Sequence, residues 1–544
     1  MARGSAIGVP VALPHGDGPN SPAWTSANLL KSSDYLTEKV FDAAGNLYEA
    51  SSFVGTINIG GTTLQSKGLF DAYVAKYSST GALLWLRQLG SSTDESIDGI
   101  CLDAAGNVYV AGGFTSSLAI GNGVMLNGRG FATSFLSFVI RYSSQGTPTW
   151  AQQNSNFTSA NSSAQKVNVD AAGNVVVLGG FDNDLTIGNT TIETTAFATY
   201  GTYIATFSSA GVPQSLIRAY EYLLLPSPAI NLIYLPTAVI AKAGAVYVVS
   251  QFVPDAVFNT NTTLHSRGGV DVLIAKYTPS GVLEWVQQFG GADDDFGLAA
   301  EVDAAGNVYM GGAFNSAISF GATTLTSKGK LDGYLTKYSP QGAPLWIRSF
   351  GNSGIDIVFE VGLDAGDNPY LTGQFQNQVI LPPVSFTAVG STDALVAAYT
   401  PQGQVRWVHS AGGAGDTGAG SMGFDAQGDI LVTGYFYDSC SFGSIKLNTS
   451  GSLEHFVARL HDPTVVPTKS LKGLYPNPAT DLVHLDGLLP GASLQIIDVL
   501  GRVVREITLT PAATFSVRGL AAGLYIVRAT DAQGERFQSR LEVE

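Results

Sequence analysis

One short phrase recurs seven times along this chain and constrains its architecture. It reads Asp-Ala-Ala-Gly-Asn in four copies, is altered in two and is degraded in one, the copies starting at Asp42, Asp103, Asp170, Ala241, Asp303, Asp364 and Asp425. The steps between successive copies are 61, 67, 71, 62, 61 and 61 residues. A near-constant period of this length indicates stacked copies of one supersecondary unit. The chain is therefore expected to be an array, and its function lies in what the whole array presents.

Each copy of the phrase is expected to be the turn of a β-hairpin. In the second repeat, Ile100–Leu102 precedes the phrase and Val108–Phe114 follows it, and both stretches are rich in β-branched and aromatic residues. Period-two alternation of such residues is typical of strands. The Gly-Asn pair supplies positive backbone angles, and the leading Asp fastens the turn by accepting backbone hydrogen bonds.

A second hairpin follows about thirty residues later in each repeat. In the first repeat it contains Tyr73–Tyr77, Gly81 and Trp85, and the spacing from Gly to Trp is four. The same spacing recurs at Gly146/Trp150, Gly281/Trp285, Gly342/Trp346 and Gly403/Trp407, whereas the third repeat has Ser215 in place of Trp. A segment such as Thr56–Leu64 predicts a further short ribbon between the two hairpins. Each repeat is therefore expected to form a four-stranded antiparallel sheet.

Seven such units predict an all-β fold, a seven-bladed β-propeller, because radial closure removes long exposed sheet edges. The seventh repeat reaches its third strand at His455–Leu460 but lacks a Trp strand after it, whereas Pro22–Trp24 precedes the first phrase. We expect this N-terminal strand to complete the last blade, with all six tryptophans in one repeat position. An open β-solenoid is the alternative, and it would not need a displaced strand.

The pattern changes after the last repeat. We predict an N-terminal segment over residues 1–21, the propeller over 22–460, a proline-containing linker over 461–470 and a small β-sandwich over 471–544. About seven short strands in the tail favour the sandwich.

The tail carries three phrases in order: Tyr475–Pro478, the turn Asp498–Val504 with its Gly-Arg-Val sequence, and Gly523–Val527. With these phrases it resembles the C-terminal sorting domain of the type IX secretion system of Bacteroidetes, with Arg540 where a Lys is usual. The resemblance implies that the secretion machinery binds residues 471–544 and exports the chain across the outer membrane. It also implies removal of the tail, followed by release or by anchoring to surface lipopolysaccharide. A generic sandwich binding module is the alternative.

The repeats themselves resemble the bacterial seven-bladed β-propeller repeat family (SBBP-type), through the phrase at Asp103–Gly112 and its variants at Asp170–Gly179 and Asp303–Gly311. The resemblance implies the propeller fold over about residues 22–460. It implies no activity, because the family has none that is agreed.

Composition excludes several classes of function. The net charge is −15 with only 28 Lys and Arg, whereas nucleic-acid and anionic-membrane surfaces need clustered cations. No apolar run approaches the roughly 20 residues of a membrane helix. An export signal is incomplete at the N-terminus, since Arg3 is followed by a short apolar stretch, Ala6–Leu13, that Pro10 interrupts.

Two cysteines, Cys101 in an inner strand and Cys440 in a predicted loop, leave a disulfide between neighbouring blades open. They form neither a Cys-x-x-Cys motif nor a metal-binding pattern.

The carboxylates are the main candidates for chemistry. The loops that enter the blades contain Asp94-Glu95, Asp293-Asp294-Asp295, Asp356 and Asp416. Clustered carboxylates bind calcium, but none of these loops has the spacing of a calcium loop, so a solvated, solubilising rim is the preferred interpretation. The aspartates of the turn phrase are interpreted as turn fasteners.

Other motifs match known sites only by their letters. Gly413–Gly418 resembles a dinucleotide fingerprint, but a strand is predicted after it where the fingerprint needs a helix. Ala419–Gly423 only half-resembles a nucleophile elbow, and Ser78–Trp85 lacks the Asp of a sialidase Asp-box. The six histidines fall at unrelated repeat positions: His15, His265, His409, His455, His461 and His484.

The sequence thus predicts no catalytic residue, no cofactor and no metal. The expected protein is a monomer, secreted or on the outer-membrane surface, that is a binding or adhesion scaffold for an extracellular protein or polysaccharide. The alternative is a secreted glycoside hydrolase or lyase, which should show a deep axial pocket with two carboxylates about 5–10 Å apart, or with a carboxylate, an Arg and a Tyr.

Overall fold

The computed structural model describes residues 22–30, 37–128, 135–155, 161–195, 199–223, 236–242, 244–259, 262–381, 384–463, 468–470, 474–475, 477–485, 492–498, 503–509, 514–530 and 536–544. The predicted segment 1–21, with its incomplete export signal, and the Gly501 turn of the tail lie outside these residues.

The described residues fold into β-strands joined by turns, and the repeat region contains the first 36 strands. In chain order they are β1 (Ala23–Leu30), β2 (Thr37–Phe41), β3 (Leu47–Ile59), β4 (Thr62–Tyr77), β5 (Leu83–Leu89), β6 (Glu95–Leu102), β7 (Val108–Phe114), β8 (Leu118–Gly121), β9 (Val124–Leu126), β10 (Leu136–Tyr142), β11 (Pro148–Gln153), β12 (Ser162–Val169), β13 (Val175–Asp182), β14 (Asp184–Ile187), β15 (Thr190–Glu193), β16 (Thr199–Phe207), β17 (Pro213–Leu223), β18 (Pro236–Lys242), β19 (Ala245–Phe252), β20 (Asp255–Asn259), β21 (Thr262–His265), β22 (Asp271–Tyr277), β23 (Leu283–Phe289), β24 (Asp295–Val302), β25 (Val308–Phe314), β26 (Ala317–Phe320), β27 (Thr323–Thr326), β28 (Asp332–Tyr338), β29 (Pro344–Phe350), β30 (Ile357–Leu363), β31 (Pro369–Leu381), β32 (Val384–Tyr399), β33 (Val405–Ala411), β34 (Thr417–Phe424), β35 (Ile430–Phe442) and β36 (Ile445–His461).

These strands form four-stranded antiparallel sheets, which we number in chain order. Sheet 1 has the order β2-β3-β4-β5, sheet 2 β6-β7-β10-β11, sheet 3 β12-β13-β16-β17, sheet 4 β18-β19-β22-β23, sheet 5 β24-β25-β28-β29, sheet 6 β30-β31-β32-β33 and sheet 7 β34-β35-β36-β1. The predicted extra ribbons are present as extensions of β3–β4, β31–β32 and β35–β36 and as the pairs β8–β9, β14–β15, β20–β21 and β26–β27. The β20–β21 ribbon also pairs with β17 of sheet 3.

The first strands of successive sheets contact one another from β2 through β6, β12, β18, β24 and β30 to β34, and β34 in turn contacts β2. At that last contact the backbone N–H of Ala426 donates to the carbonyl oxygen of Ala43 over 2.7 Å. Apolar side chains between neighbouring sheets are buried; Tyr48, Val110 and Phe138, for instance, share one cluster that spans sheets 1 and 2. The core of the repeat region therefore lies between the sheets.

The repeated phrase forms the turn between the first two strands of each sheet. In six copies one oxygen of the leading aspartate accepts the backbone N–H groups two and four residues later, over 2.7–3.0 Å. In sheets 1, 2, 5 and 6 the other oxygen also accepts a tyrosine hydroxyl, over 3.1–3.4 Å. The interpretation of these aspartates as turn fasteners is confirmed.

Tryptophans join neighbouring sheets at their outer strands. The indole N–H donates to a carbonyl oxygen in the second hairpin of the next sheet for Trp85 (Ser144, 3.1 Å), Trp150 (Ser209, 3.2 Å), Trp285 (Pro340, 3.0 Å) and Trp346 (Pro401, 3.1 Å). A Cβ on the turn glycine of that hairpin would approach the indole ring to about the same 2.7–2.9 Å in each case, at Gly146, Gly211, Gly342 and Gly403. We call this combination the tryptophan latch. The second hairpins of sheets 2 and 5 contain both parts of the latch, the glycine that receives one indole and, four residues later, the tryptophan that donates to the next sheet.

Trp24 does not occupy the latch position, contrary to the prediction. In the other sheets that have a tryptophan, it pairs with the third-strand residue that lies opposite the sixth residue after the start of the phrase; Trp85, for example, pairs with Lys76, which lies opposite Tyr48. The corresponding residue of β36 is Arg459, which lies opposite Leu431 and pairs with Ser26, while Trp24 lies opposite Leu460. Trp24 is therefore shifted by two residues, and it packs edge-on against Phe442 of its own sheet at a centroid distance of 5.1 Å.

The tail forms two sheets around a separate apolar core. Its strands are β37 (Thr468–Ser470), β38 (Leu474–Tyr475), β39 (Leu482–Leu485), β40 (Ser493–Asp498), β41 (Val503–Thr508), β42 (Thr514–Ser516), β43 (Gly523–Thr530) and β44 (Arg536–Val543). One sheet has the order β37-β44-β43-β40-β41 and the other β38-β39-β42. Val483, Ile496, Phe515 and Val527 lie in the core between them. β37 falls within the predicted linker and pairs in parallel with β44, so the sheet of the tail begins earlier than expected.

Cys101 and Cys440 are both buried and both free. Cys440 lies in β35 and not in a loop, because the second strand of sheet 7 continues into the ribbon.

Candidate binding site

The exposed members of the acidic loops connect neighbouring sheets. The Asp94 carboxylate accepts the N–H of Phe70 over 3.1 Å, and Asp294 accepts the N–H of Val270 over 2.9 Å. Asp416 accepts the Thr392 hydroxyl over 3.2 Å and also that of Ser391, and Asp293 accepts that of Ser316. These carboxylates are committed to hydrogen bonds across or within the loops.

Glu95, Asp295 and Asp356 are buried, with relative exposures of 1%, 0% and 0%. The expectation of a solvated rim is wrong for these three residues. Backbone N–H groups compensate for the burial: Asp295, for example, accepts from Gly291 over 2.6 Å and from Asn315 over 3.1 Å. Burial nevertheless raises the pKa of each of the three carboxyls to about 7.

Each of these three carboxyls has a second buried carboxyl near it on the preceding sheet. Asp71 lies near Glu95, Asp271 near Asp295 and Asp332 near Asp356, and each adds a repulsive interaction that raises the pKa of its neighbour. One oxygen of Asp332 and one of Asp356 both lie within 3 Å of the point where a Cβ on Gly351 would be. Because Asp271, Asp295 and Asp332 also accept backbone N–H groups, these pairs are built into the junctions between sheets.

The remaining sequence candidates are dispersed. Among the described residues, no group of three or more His, Cys, Asp or Glu could hold a metal ion. His265 pairs with Asp255 over 2.7 Å, His461 pairs with Asp429 over 2.6 Å, and His484 stacks on Tyr475 in the tail. Strand β34 begins at Thr417, within Gly413–Gly418, so a strand continues from this motif, as expected. Ser78 fastens its own turn by accepting the N–H of Ala82 over 3.1 Å.

An axial cavity of about 510 Å³ is bounded by the first strands of all seven sheets. Three of its charged lining residues, Glu38, Lys166 and Glu360, come from one repeat position, which pairs with the eighth residue after the start of the phrase. We call this position the axial ring; it holds Glu38 opposite Ala50, Gly99 opposite Ala111, Lys166 opposite Leu178, Ala238 opposite Val249, Ala299 opposite Gly311 and Glu360 opposite Thr372. The ring is therefore charged in sheets 1, 3 and 6 and small in sheets 2, 4 and 5.

Lys166 and Glu38 form an ion pair across sheet 2. Their Nζ and Oε1 atoms are 2.8 Å apart, and the side chains are 25% and 41% exposed. A Cβ on Gly99 would come within 3.0 Å of the Gln165 carbonyl oxygen and of the Lys166 Cα. Glycine at the ring position of sheet 2 therefore allows β12 to pack closely on β6.

Two further carboxyls interact with this pair. Burial raises the pKa of Glu360 to about 7, and Glu38 and Glu301 add to the effect. Burial also raises the pKa of Asp98 to about 6, although a hydrogen bond from the Ser96 hydroxyl and the charge of Lys166 oppose it. Among the described residues the Glu360 side chain accepts one hydrogen bond, from the N–H of Val361 over 3.2 Å, so most of its hydrogen-bonding capacity is open to the cavity.

The rest of the lining is mixed. Leu298 and Phe359 are partly exposed to the cavity, and Thr237, Ser421 and Tyr435 add hydroxyl groups, that of Tyr435 donating to Gln374 over 2.9 Å. A cavity of this size with apolar walls and a few polar groups is typical of sites for small organic ligands.

The sequence analysis missed the axial ring. Glu38, Lys166 and Glu360 each lie four residues before the turn aspartate of their repeat, so aligning the repeats on that aspartate places them in one column. The sequence signal for the axial ring was therefore a strand position whose charge varies between repeats. The sequence does not show that this position faces the axis, because that depends on the order of the strands in each sheet.

Comparison with known proteins identifies the tail. Residues 473–543 match the family model of the secretion system C-terminal sorting domain. The chain therefore carries a C-terminal sorting domain, which indicates export by type IX secretion and a secreted or cell-surface location.

The similarities found beyond the tail are distant. A stretch of 147 residues, 24% of this chain, is 27% identical to an uncharacterized WD repeat-containing protein of Acanthamoeba polyphaga mimivirus, of which the chain spans about a tenth (10%). Similar solved structures include a puromycin hydrolase mutant (10% identity, 86% of this chain and 63% of that chain, TM-score 0.40) and an apocarotenoid oxygenase mutant of Synechocystis (7%, 80% and 95%, 0.36). A quinohemoprotein alcohol dehydrogenase of Comamonas testosteroni is 11% identical over 84% of this chain and 79% of that chain, with a TM-score of 0.34.

No helix among the described residues has the length and hydropathy needed to cross a membrane.

Proposed function

We propose that the repeat region is a seven-bladed β-propeller of the bacterial SBBP-type repeat family, closed by the N-terminal strand, that binds an extracellular protein or polysaccharide. In this proposal the type IX machinery of a Bacteroidetes cell exports the chain through its tail, and the mature protein is a monomer.

Ring closure is supported by the order of contacts. β34 contacts β2 as each other first strand contacts the next, and the Ala426–Ala43 hydrogen bond joins the last turn phrase to the first. β1 pairs with β36 from Ala23 to Leu30, which gives sheet 7 its fourth strand. An open solenoid would leave β2 and β34 apart.

A binding role is supported by the axial cavity in an exported chain. The repeated carboxylates are committed to turns and junctions, whereas the axial ring differs from sheet to sheet. In a repeat protein, the positions that differ between otherwise similar repeats are those expected to determine which ligand is bound.

A hydrolytic enzyme is the second candidate, and Glu360 favours it. A glycosidase pairs a carboxylic acid of raised pKa with an ionised carboxylate in the same site. Glu360, with a pKa of about 7, and Glu38, ion-paired with Lys166, line the same cavity.

A glycan array probed with the full chain, followed by an activity screen on every glycan that binds, separates the two functions. Binding without turnover is the expected result. Turnover that is lost in Glu360→Gln but kept in Glu193→Gln, a control on the exposed β15 ribbon, would replace the binding proposal by the hydrolase.

Export is tested by deleting residues 468–544 in a bacterium with a type IX system. The truncated chain is expected to remain inside the cell, while the full chain reaches the surface or the medium. Equal export of both chains would contradict the role of the tail.

A further inference from the structure

We propose that the axial cavity binds a small organic molecule that carries a primary ammonium group, with Glu360 as the carboxylate that receives it. The inference rests on the proposed binding function and names the chemical class of one ligand.

The charge of the cavity selects a cation. The lining carboxyls are those of Glu38 and Glu360, and the lining lysines are Lys39 and Lys166. Both lysines are already paired: Lys39 with Glu49 over 3.6 Å and Lys166 with Glu38 over 2.8 Å. Among the described residues, the carboxyl of Glu360 is therefore left without a cation at contact distance, and the nearby Asp98 adds a further carboxyl that interacts with Lys166.

Desolvation of the Glu360 carboxylate strengthens the preference of the cavity for a cationic ligand. A carboxylate in a partly enclosed cavity is costly to ionise alone, and an ammonium group at hydrogen-bond distance compensates for that cost. The side chain of Glu360 has capacity for such a bond, because it accepts only the N–H of Val361 among the described residues. The hydroxyls of Thr237 and Ser421 and the ring of Phe359 line the same cavity. They fit the hydroxyl and carbon surfaces of a molecule about as large as a monosaccharide.

Binding is expected to depend on pH. An ammonium ligand favours ionised Glu360, so its affinity should rise as the pH rises through 7, where burial keeps a proton on this carboxyl. The charged and titratable residues that line the cavity with Glu360 are Glu38 and Lys39 from β2, Lys166 from β12, Tyr435 from β35 and His455 from β36. Outside the lining, Glu301 of β24 interacts with Glu360, and Asp98 of β6 interacts with Lys166 and Glu38. Among the described lining residues, β18 and β34 add none.

Isothermal titration of the full chain with 1-amino-1-deoxysorbitol, and with sorbitol as the neutral analogue of the same size, tests the proposal. The amine is expected to bind at least tenfold more tightly than sorbitol at pH 8, and severalfold more weakly at pH 6 than at pH 8. Equal affinities for the two compounds, or binding of neither, would overturn it.

Two variants locate the site. Glu360→Gln should weaken binding of the amine at least tenfold, while the matched control Glu193→Gln leaves it unchanged. Lys166→Met should tighten binding, because it removes the competing cation and frees Glu38. An unchanged affinity in both Glu360→Gln and Lys166→Met, with native melting curves, would place the amine elsewhere and contradict the proposal.

The glycan array keeps the two proposals distinct. Array signals without binding of the amine would overturn this inference alone. Failure of both would overturn the binding function as well.

Discussion

The junction between sheets 7 and 1 differs from the other junctions of the repeat region. Four junctions (1–2, 2–3, 4–5 and 5–6) carry the complete tryptophan latch. At junction 6–7 Trp407 donates instead to the Asp462 carboxylate over 2.6 Å, and at junction 3–4 Ile217 packs on Gly281. At junction 7–1 a Cβ on the corresponding glycine, Gly81, would come no closer than 3.7 Å to the Leu29 carbonyl oxygen and 4.0 Å to Val457.

The difference shows that side-chain packing joins most neighbouring sheets, whereas backbone hydrogen bonds are more important where the last repeat meets the first. Repeats that follow each other in the chain are joined by a side chain of one packing on a turn of the next. β1, which precedes sheet 1 in the chain, instead pairs by its backbone with β36 within sheet 7, and at junction 7–1 the two inner turns are joined by a backbone hydrogen bond. Side-chain packing at this junction is expected to contribute less to stability than at the others.

Comparing Trp407→Ala with Trp24→Ala should give the largest difference. Trp407 is 3% exposed, and its removal leaves the buried Asp462 with one hydrogen bond fewer. We expect a loss of about 3–5 kcal/mol in the free energy of unfolding. Trp24 is half-buried, and its indole N–H has no acceptor among the described residues, so Trp24→Ala should cost less than half as much. Urea denaturation of both variants measures this, and equal losses would show that the closing junction is packed like the others.

Comparing Gly403→Ala with Gly81→Ala isolates the glycine side of the latch. Both glycines have positive φ, +76° and +85°, so both substitutions incur the cost of about 1–2 kcal/mol of a side chain in the left-handed region. At Gly403 the new Cβ would also lie 2.9 Å from the Trp346 ring. This overpacking adds about 1–3 kcal/mol. Denaturation midpoints should therefore fall further for Gly403→Ala, and a reversed order would contradict the latch.

The sequence was sufficient for the features that are fixed locally. The Asp-x-x-Gly-Asn phrase determines its own turn, and the frame with four residues from Gly to Trp marks the second hairpin, so both hairpins could be predicted from one repeat. The latch was not predicted, because it joins two repeats. Trp24 could not be placed, because no turn connects β1 to β36; its register depends on a bulge between Trp24 and Ser26.

The carboxylates and the axial ring show a second limit. Asp293, Asp294 and Asp295 are adjacent in sequence, yet the first bonds to Ser316, the second to Val270 of the preceding sheet and the third is buried. Which of them is buried depends on backbone N–H groups that come from other loops, such as that of Asn315. The axial ring likewise becomes visible only when the first strand of each sheet is known to face the axis.

The smallest expected effect tests the buried carboxyl pair at junction 4–5. Burial raises the pKa of Asp271 and of Asp295, the latter to about 7. The folded state therefore holds a proton that the unfolded chain releases near pH 4, so stability is greatest at low pH and declines as the pH rises from about 4 to 7. One such group contributes at most about 1.4 kcal/mol per pH unit in that window.

Asp271→Asn should reduce this dependence and stabilise the protein at pH 8. One oxygen of Asp271 is buried without a partner among the described residues, while the other accepts the N–H of Arg267 over 3.1 Å. An amide NH₂ in place of the unpartnered oxygen removes the repulsion from Asp295 and keeps the acceptor. Melting temperatures of the wild type and Asp271→Asn from pH 5 to 8 measure the effect, with Glu193→Gln as control. If Asp271→Asn kept the full slope, Asp271 would contribute nothing to it, and burial alone would hold the proton on Asp295.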